Sequence, residues 1–292
     1  MSKGLLDPKV DFVFKNIFGS PNHPEILISF LNATLKAKKK IVKVDIKKTD
    51  IEKQYIEDKY SRLDVKATTS NDEIINIEIQ LKNENNMVKR SLYYLSKMYE
   101  EQLNEKEDYS KLVRTVCINI LNFKYLKTDN FHTGYRFKEI ESNEELTDIM
   151  QVHFIEIPKL QDSSDEKDML VAWTEFLKDP ESEKVRGLEL SIEEIRQAKD
   201  ELIRMSNDST QRELYDMRAN SLRDKMSELN AAERKGIEKG REEGREEGRK
   251  EGIEEGRKEE KIEIARNMKL SGIDTNTIAK ITNLSEDEID KL

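Results

Sequence analysis

The sequence predicts an α/β protein in which a mixed sheet is flanked by helices, followed by an all-helical C-terminal extension. Three observations lead to this prediction. Segments with an apolar residue at every second position, typical of strands, are confined to residues 1–160. Segments with helical apolar spacing lie between them. After residue 160 the helical pattern is the only one, and it runs into a stretch where glycine returns every fourth residue.

Length and composition set the first limits. The chain has 292 residues, of which 36% are hydrophobic and 38% are charged. This length can bury one good core, but the charged fraction exceeds the usual value of about a quarter, so part of the chain should be elongated and solvated. The formal charge of −9 is uneven, because residues 1–130 hold 23 basic and 19 acidic residues. The net charge therefore does not exclude a DNA-binding N-terminal domain.

Several classes of protein are disfavoured. The single cysteine, Cys117, excludes an intrachain disulfide and a cysteine-based zinc ribbon. No apolar run approaches the roughly 18 residues that a membrane helix needs. The N-terminal MSKGLLDPKVDF lacks the hydrophobic stretch of a signal peptide. We therefore expect a cytoplasmic protein with no membrane partner.

The first elements are predicted to be two helices. Asp7 followed by Pro8 is a typical helix start, and the apolar stripe that follows ends at Gly19. A second helix is predicted for residues 24–35. A basic cluster, KAKKK, then leads into a short alternating segment.

The next elements are predicted to form the sheet. Residues 62–68 and 74–81 read as two strands of a hairpin with a tight turn near Asn71. Residues 87–103 are predicted to be helical, with one face formed by Val88, Leu92, Leu95 and Tyr99. Residues 112–123 and 152–157 are predicted as buried strands.

These elements make residues 1–160 the predicted core domain, and residues 161–235 a helical extension. The first helix of the extension should be anchored by Met169, Trp173, Phe176 and Leu177.

Residues 236–260 contain six glycines at intervals of four. Each glycine in a helix costs about 1 kcal/mol relative to alanine, so six glycines in one helix would require a compensating interaction. One interpretation is a closely packed homodimer or higher homo-oligomer with a right-handed supercoil, since a repeat of four exceeds the helical period. The other is a solvated, partly helical linker.

Residues 261–292 resemble a helix-turn-helix unit. Gly272 should end one helix, Thr275 or Asn276 should begin a short second one, and Ser285 with Glu288 should form a capping box for a third. Predicted core residues are Ile264, Met268, Ile273, Ile278, Ile281, Leu284, Ile289 and Leu292. This unit is poor in basic residues, so docking to a protein is at least as well supported as direct reading of DNA.

The segment NIEIQLK contains the main candidate site residues. Glu78 and Gln80 share one face of a strand, where such residues are unfavourable. One interpretation is that this face of the strand is exposed to solvent. The predicted hairpin, however, puts Asp64 opposite Glu78, at a typical separation of about 4.5–5.5 Å, where like charges repel. A divalent cation between two carboxylates converts this repulsion into binding.

These residues resemble a known signature. Asp64 followed by Glu78-Ile79-Gln80 is similar to the PD-(D/E)XK nuclease motif, with Gln80 where most members have lysine. The ordered segments DPKVDFVFKNIFG, FLNATL, IEIQ, RSLYYLSKMYEEQL and RTVCINIL are similar to the Rpn family of recombination-promoting nucleases and transposases. The similarity covers residues 5–160, and a glycine-repeat tail is common in that family.

The resemblance implies a restriction-endonuclease-like core and an Mg²⁺-dependent DNA endonuclease serving recombination or transposition. It implies that Asp64 and Glu78 are metal ligands, with the Ile79 carbonyl as a third. Gln80 would take the place of the lysine that orients water, using hydrogen bonds alone because an amide carries no charge.

Other residues are lesser candidates. Asp11 is expected to add an acid to the site or to pair with Lys15 at i,i+4. Arg90 and Tyr94, one helical turn apart, are expected to contact DNA phosphate.

The lysine run Lys38, Lys39 and Lys40 is expected either to follow the DNA backbone or to form a solvated turn. The three histidines show no ligand spacing.

Two other functions remain open at this point. One is a catalytically inactive DNA-binding or regulatory protein that retains the nuclease fold. The other is an assembly protein driven by residues 236–260.

Overall fold

The computed structural model describes residues 4–37, 39–47, 65–165 and 167–292. The chain divides into two compact units, Met1–Arg223 and Asp224–Leu292. The described elements follow in the order α1 (Asp11–Phe18), α2 (Pro24–Leu35), β1 (Val44–Lys47), β2 (Val65–Thr69), β3 (Ile74–Gln80), α3 (Met87–Glu100), β4 (Thr115–Leu121), β5 (His132–Lys138), β6 (Glu145–Glu156), α4 (Met169–Lys178), α5 (Glu183–Glu189), α6 (Glu193–Asn207), α7 (Ser209–Leu270), α8 (Thr275–Thr282) and α9 (Glu286–Asp290).

The first unit contains a six-stranded mixed sheet in the order β1-β2-β3-β4-β6-β5. β3, β4 and the second half of β6 run parallel, and the other neighbours are antiparallel. Because parallel neighbours need a crossover connection, α3 carries the chain from β3 to β4. The predicted fold class, a mixed sheet flanked by helices and followed by a helical extension, is confirmed.

The β2–β3 hairpin has the predicted register. Val65 pairs with Ile77 and Ala67 pairs with Ile75, which centres the hairpin on Asn71. Asp72 adopts the left-handed conformation in the turn, with φ of 60°. Asp64, the residue predicted to face Glu78, lies outside the described residues.

The apolar face of β3 packs in the larger core of the first unit. Ile75, Ile77 and Ile79 share this core with buried residues of α1, α2, α4, α5 and α6. Trp173 lies inside it, with its ring centroid 5.3 Å from that of Phe18. The helical extension therefore packs in the same core as the sheet, as the predicted anchoring role of Trp173 requires.

The start of the first helix differs from the predicted one. α1 begins at Asp11 rather than at Asp7, because the Asp7 carboxylate accepts a hydrogen bond from the Lys9 amide in a turn before the helix. Its end before Gly19 and the whole of α2 are confirmed.

The buried face of α3 differs from the predicted one. Val88 and Leu92 are 41% and 50% exposed, whereas Ser91 and Tyr94 are buried. The reason is a polar contact that an apolar pattern cannot reveal. Ser91 Oγ lies 2.9 Å from Asn119 Oδ1 on β4 and 2.7 Å from the Met87 carbonyl, so Ser91 shares the buried face of α3 with Met87 and Leu95.

The strand β5 and the first half of β6 were not predicted. β5 is an edge strand with largely exposed residues, and apolar alternation in its sequence HTGYRFK is limited to Tyr135 and Phe137. The hairpin also joins two histidines that the sequence keeps apart. His132 Nε2 and His153 Nδ1 are 3.0 Å apart, and Gly134 leaves room for the His153 ring.

The second unit is helical. α9 begins with the predicted capping box of Ser285 and Glu288. The N-cap of α8 is Asp274, not Thr275 or Asn276, since the Asp274 carboxylate accepts from the Thr277 amide. The core consists of Ala265, Ile278, Leu284 and Ile289, with Ile262, Met268, Ala279 and Leu292 against it.

Three predicted members of this small core are partly or largely exposed instead, namely Ile264, Ile273 and Ile281. The helix rotation brings Ala265 inward, and alanine adds little to an apolar pattern read from large side chains.

The glycine row of residues 236–260 is helical and exposed. A Cβ atom added at Gly236, Gly240, Gly244, Gly248, Gly252 or Gly256 would meet no described atom within 4 Å. The packing of the described residues therefore gives no reason for glycine at these positions. Among the described residues, no helix is both long enough and apolar enough to cross a bilayer.

The histidine pair makes stability depend on pH. Burial lowers the pKa of His132 to about 4 and that of His153 to about 3. Depressed histidine pKa values stabilise the fold above the unfolded pKa, and this stability is lost as the pH falls. We expect His153→Gln to reduce the slope of unfolding free energy against pH by about 1.4 kcal/mol per pH unit between about pH 6 and pH 4.5.

Urea denaturation across this pH range measures the slope. His23→Gln, which replaces a partly exposed histidine beside Glu25, is the control. Identical slopes for wild type and His153→Gln would contradict the prediction.

Candidate functional site

The polar face of β3 is largely buried rather than exposed to solvent, contrary to one interpretation of its sequence. Asn76 is fully buried and Glu78 is 1% exposed, while Gln80 at the strand end is partly exposed. On this side of the sheet, α3 packs on the neighbouring strands β4 and β6, and Arg90 of the same helix reaches Glu78. A carboxylate is therefore enclosed inside the protein, where its charge is unfavourable unless it is paired.

Arg90 on α3 is the partner of Glu78. Its Nε donates to Glu78 Oε2 at 3.1 Å, and the guanidinium lies over the Tyr94 ring, 5.1 Å from its centroid. Burial raises the pKa of Glu78, and the charge of Arg90 opposes this rise. Together, Glu78, Gln80, Arg90 and Tyr94 are called the Glu78 site.

One oxygen of Glu78 remains unsatisfied. Glu78 Oε1 is buried and makes no hydrogen bond of normal geometry with a described residue, although the neighbouring Asn76 side chain opposes the rise that burial causes in the pKa of the Glu78 carboxyl. An unpaired carboxylate oxygen in the interior is costly, so a group that binds it would stabilise the site. Such an oxygen suits a hard divalent cation, whose usual ligands in proteins are carboxylate and carbonyl oxygens.

Buried asparagine side chains, which the sequence pattern did not indicate as part of the site, lie close to Glu78 in the sheet. The β3–β4 register puts Asn119 beside Glu78 and Cys117 beside Asn76. Asn119 Nδ2 donates to the His153 carbonyl at 3.1 Å. Burial raises the pKa of the Cys117 thiol to about 12. The available signal was Asn119 itself, a polar residue inside the apolar run VCINIL.

The remaining predicted site residues are only partly described. Asp64 lies outside the described residues, so the second carboxylate stays a prediction. Ile79 is buried, and its carbonyl stays a predicted ligand. Gln80 ends β3, and its carbonyl accepts from the Asn122 amide at 2.9 Å. Among the residues described, no three His, Cys, Asp or Glu side chains form a metal cluster.

Asp11 contacts a residue that the sequence did not suggest. Its Oδ2 pairs with Arg218 Nη1 at 2.8 Å. α1 packs in the core on the apolar face of β3, whereas Glu78 lies on the opposite face. A role for Asp11 in the Glu78 site stays a prediction.

The predicted DNA-contacting residues fall into two groups. Arg90 and Tyr94 belong to the Glu78 site itself, and Tyr94 is buried. Lys39 and Lys40 are exposed, as a contact to phosphate would require, and Lys38 lies outside the described residues.

The burial of Glu78 makes Arg90 important for stability. Arg90→Met leaves the carboxylate uncompensated, and we expect it to lower the unfolding free energy by about 3 kcal/mol at neutral pH. The raised pKa of Glu78 means that its protonated form suits the interior, so the loss should shrink as the pH falls. Urea denaturation at about pH 8 and pH 5 tests this.

Glu78→Gln is the matched variant, because it removes the buried charge and should cost less than Arg90→Met. An equal loss for Arg90→Met at both pH values would show that Glu78 is not the cause.

Two family models match the chain. The model described as PD-(D/E)XK nuclease family transposase matches residues 8–232. The model described as the C-terminal HTH domain of the Rpn/YhgA-like nuclease family matches residues 258–292. No curated protein and no solved structure matches the chain significantly. The fold and both matches agree with a nuclease that binds DNA, and the chain belongs to the PD-(D/E)XK nuclease family transposases of the Rpn type.

Proposed function

We propose that this protein is an Mg²⁺-dependent DNA endonuclease that hydrolyses phosphodiester bonds at the Glu78 site. The observation that carries the proposal is the buried Glu78 carboxylate with one oxygen paired to Arg90 and the other unpartnered. A buried carboxylate oxygen without a partner is uncommon, and a bound cation would satisfy it.

Asp64 is proposed as the second carboxylate. The register that pairs Val65 with Ile77, continued by one residue, would put Asp64 opposite Glu78. Two carboxylates on neighbouring strands, with the Ile79 carbonyl, are a suitable ligand set for Mg²⁺, which also keeps several waters. When bound, the cation would lower the pKa of the attacking water and polarise the phosphate.

Gln80 is proposed to orient the attacking water. It follows Glu78 by two residues on the same face of β3 and lies at the strand end, where it is partly exposed. Its amide can accept from a water molecule and donate to a phosphate oxygen. It cannot supply positive charge.

DNA binding is proposed to involve two regions. Lys38, Lys39 and Lys40 would follow the DNA backbone, since phosphate neutralisation is the main source of affinity. The HTH domain of residues 258–292 would contribute either DNA binding or docking to a second protein. The family described as transposases supports a role in recombination or transposition.

The glycine row is proposed to pair two copies of the chain. The six glycines lie exposed on a helix in which an added Cβ meets nothing within 4 Å among the described residues. Close approach of a second helix explains glycine at these positions, and a homodimer would supply two active sites for cutting both strands.

The first test is cleavage of supercoiled plasmid. Wild type should cut with Mg²⁺ and not with EDTA, and Asp64→Asn and Glu78→Gln should each slow cutting by a factor of about a thousand, because several kcal/mol of transition-state stabilisation is lost. Glu100→Gln, at an exposed position on α3, is the control. Equal cutting by Glu78→Gln and wild type would rule out the site.

A DNA-binding protein without activity would give a different pattern. It would shift DNA in Ca²⁺ but would not cut in Mg²⁺, whereas a pure assembly protein would do neither.

The second test is sedimentation of the full chain. Wild type should sediment as a dimer or higher oligomer, and Gly240→Leu with Gly244→Leu should weaken association because the added side chains keep the helices apart. Glu243→Leu with Glu247→Leu, on another face of the helix, is the control. A monomeric wild type would refute pairing through residues 236–260.

A further inference from the structure

The proposed reaction lacks a source of positive charge among the side chains assigned to it. Glu78 and Asp64 are acids, Gln80 is neutral, and the scissile phosphate is an anion. Attack on phosphorus moves negative charge onto its non-bridging oxygens, where a preorganised cationic donor is most effective. A cationic side chain at the Glu78 site would therefore add to the positive charge that a bound Mg²⁺ supplies.

Arg90 is the cation that the structure puts there. Its Nε binds Glu78 Oε2 at 3.1 Å, and its side chain keeps 28% exposure. The two terminal nitrogens, Nη1 and Nη2, form no hydrogen bond with any residue of the described ranges. Arg90 thus joins the buried carboxylate to the accessible part of the site.

The fixed plane of the guanidinium suits a phosphate. Tyr94 lies under it, with the ring centroid 5.1 Å from Arg90 Cζ, and Nε is held by Glu78. Arginine has five N–H donors, so one bond from Nε leaves four on the terminal nitrogens. Two parallel bonds from such a fork match two oxygens of a phosphate group.

We propose that Arg90 is a further catalytic residue, which holds Glu78 through Nε and binds the non-bridging oxygens of the scissile phosphate through Nη1 and Nη2. This inference rests on the proposed function. It assigns to α3 the charge that Gln80 on β3 does not have.

The chemical step balances without proton transfer by Arg90. The water oxygen forms a bond to phosphorus, and the bond from phosphorus to the leaving sugar oxygen breaks. The products are a phosphate monoester and a hydroxyl group, and the proton released by water reaches the leaving oxygen through solvent. Arg90 stays protonated throughout.

The test compares Arg90→Gln, Arg90→Lys and Lys89→Gln in the full-length protein. Lys89→Gln is the matched control, since it removes the same charge from the neighbouring exposed position on α3. Three quantities are measured: the single-turnover cleavage rate, the affinity for Mn²⁺ by calorimetry without DNA, and the affinity for DNA in Ca²⁺.

We expect Arg90→Gln to slow cleavage by about 100-fold to 1,000-fold, as for loss of one transition-state donor. Arg90→Lys should recover part of the rate, because it restores the charge without the fork. Mn²⁺ should bind Arg90→Gln at least as tightly as wild type, since no cation then competes for Glu78. Lys89→Gln should cleave within about twofold of wild type, because surface charges act weakly.

Three results would overturn the inference. Arg90→Gln cleaving at the wild-type rate would remove Arg90 from the reaction. Parallel loss of cleavage and of Mn²⁺ binding would show that Arg90 only holds the site together. A wild type that neither binds Mn²⁺ nor cleaves would overturn the proposed function itself, and this outcome is recognised before any variant is measured.

Discussion

The pairing of Glu78 with Arg90 across the interface of β3 and α3 is the constraint on which the Glu78 site depends. A buried carboxylate loses its hydration, and one ion pair at 3.1 Å restores only part of that loss. The remaining cost must be offset by the rest of the fold. The opposite face of β3 supplies that stability, because Ile75, Ile77 and Ile79 pack there into the larger core of the first unit.

The topology of the sheet makes this pairing possible. A helix that connects two parallel strands packs back on the sheet, and α3 lies on the side that Glu78 faces, mainly over the neighbouring strands β4 and β6. Arg90 thereby reaches Glu78, which precedes it by 12 residues. Ser91, which contacts Asn119, lies with Met87 and Leu95 on the face of α3 that packs on the sheet, and the rotation of the helix decides which of its residues meet the site. The geometry of the Glu78 site thus depends on how α3 packs on the sheet.

The sequence predicted those features that local chemistry decides. The end of α1, the bounds of α2, the hairpin register around Asn71 and the capping box at Ser285 all follow from nearby residues. Features that depend on distant contacts were missed. The buried face of α3 depends on Asn119, and the edge strand β5 depends on hydrogen bonds from β6, so no local pattern marks either.

In the candidate site, too, the features decided by nearby residues were predicted, and those that depend on distant contacts were not. Glu78 was identified because a charged residue in an alternating strand is unusual, and its enclosure could not be read from that pattern. Arg90 was assigned to DNA phosphate alone, because one helical turn relates it to Tyr94 but no sequence spacing relates it to Glu78. The parallel register that puts Asn119 beside Glu78 appears only when the strands are assembled.

The burial of Cys117 has a practical consequence for labelling. This residue is the one cysteine of the chain, it is fully enclosed, and its raised thiol pKa of about 12 leaves almost no thiolate at neutral pH. Because the thiolate is the species that reacts with maleimides and with spin labels, Cys117 of the native protein should react very slowly with these reagents. A cysteine introduced on the exposed surface of α7 would carry a probe at a single defined position, so that distances between copies of the chain could be read by spin resonance without first removing Cys117.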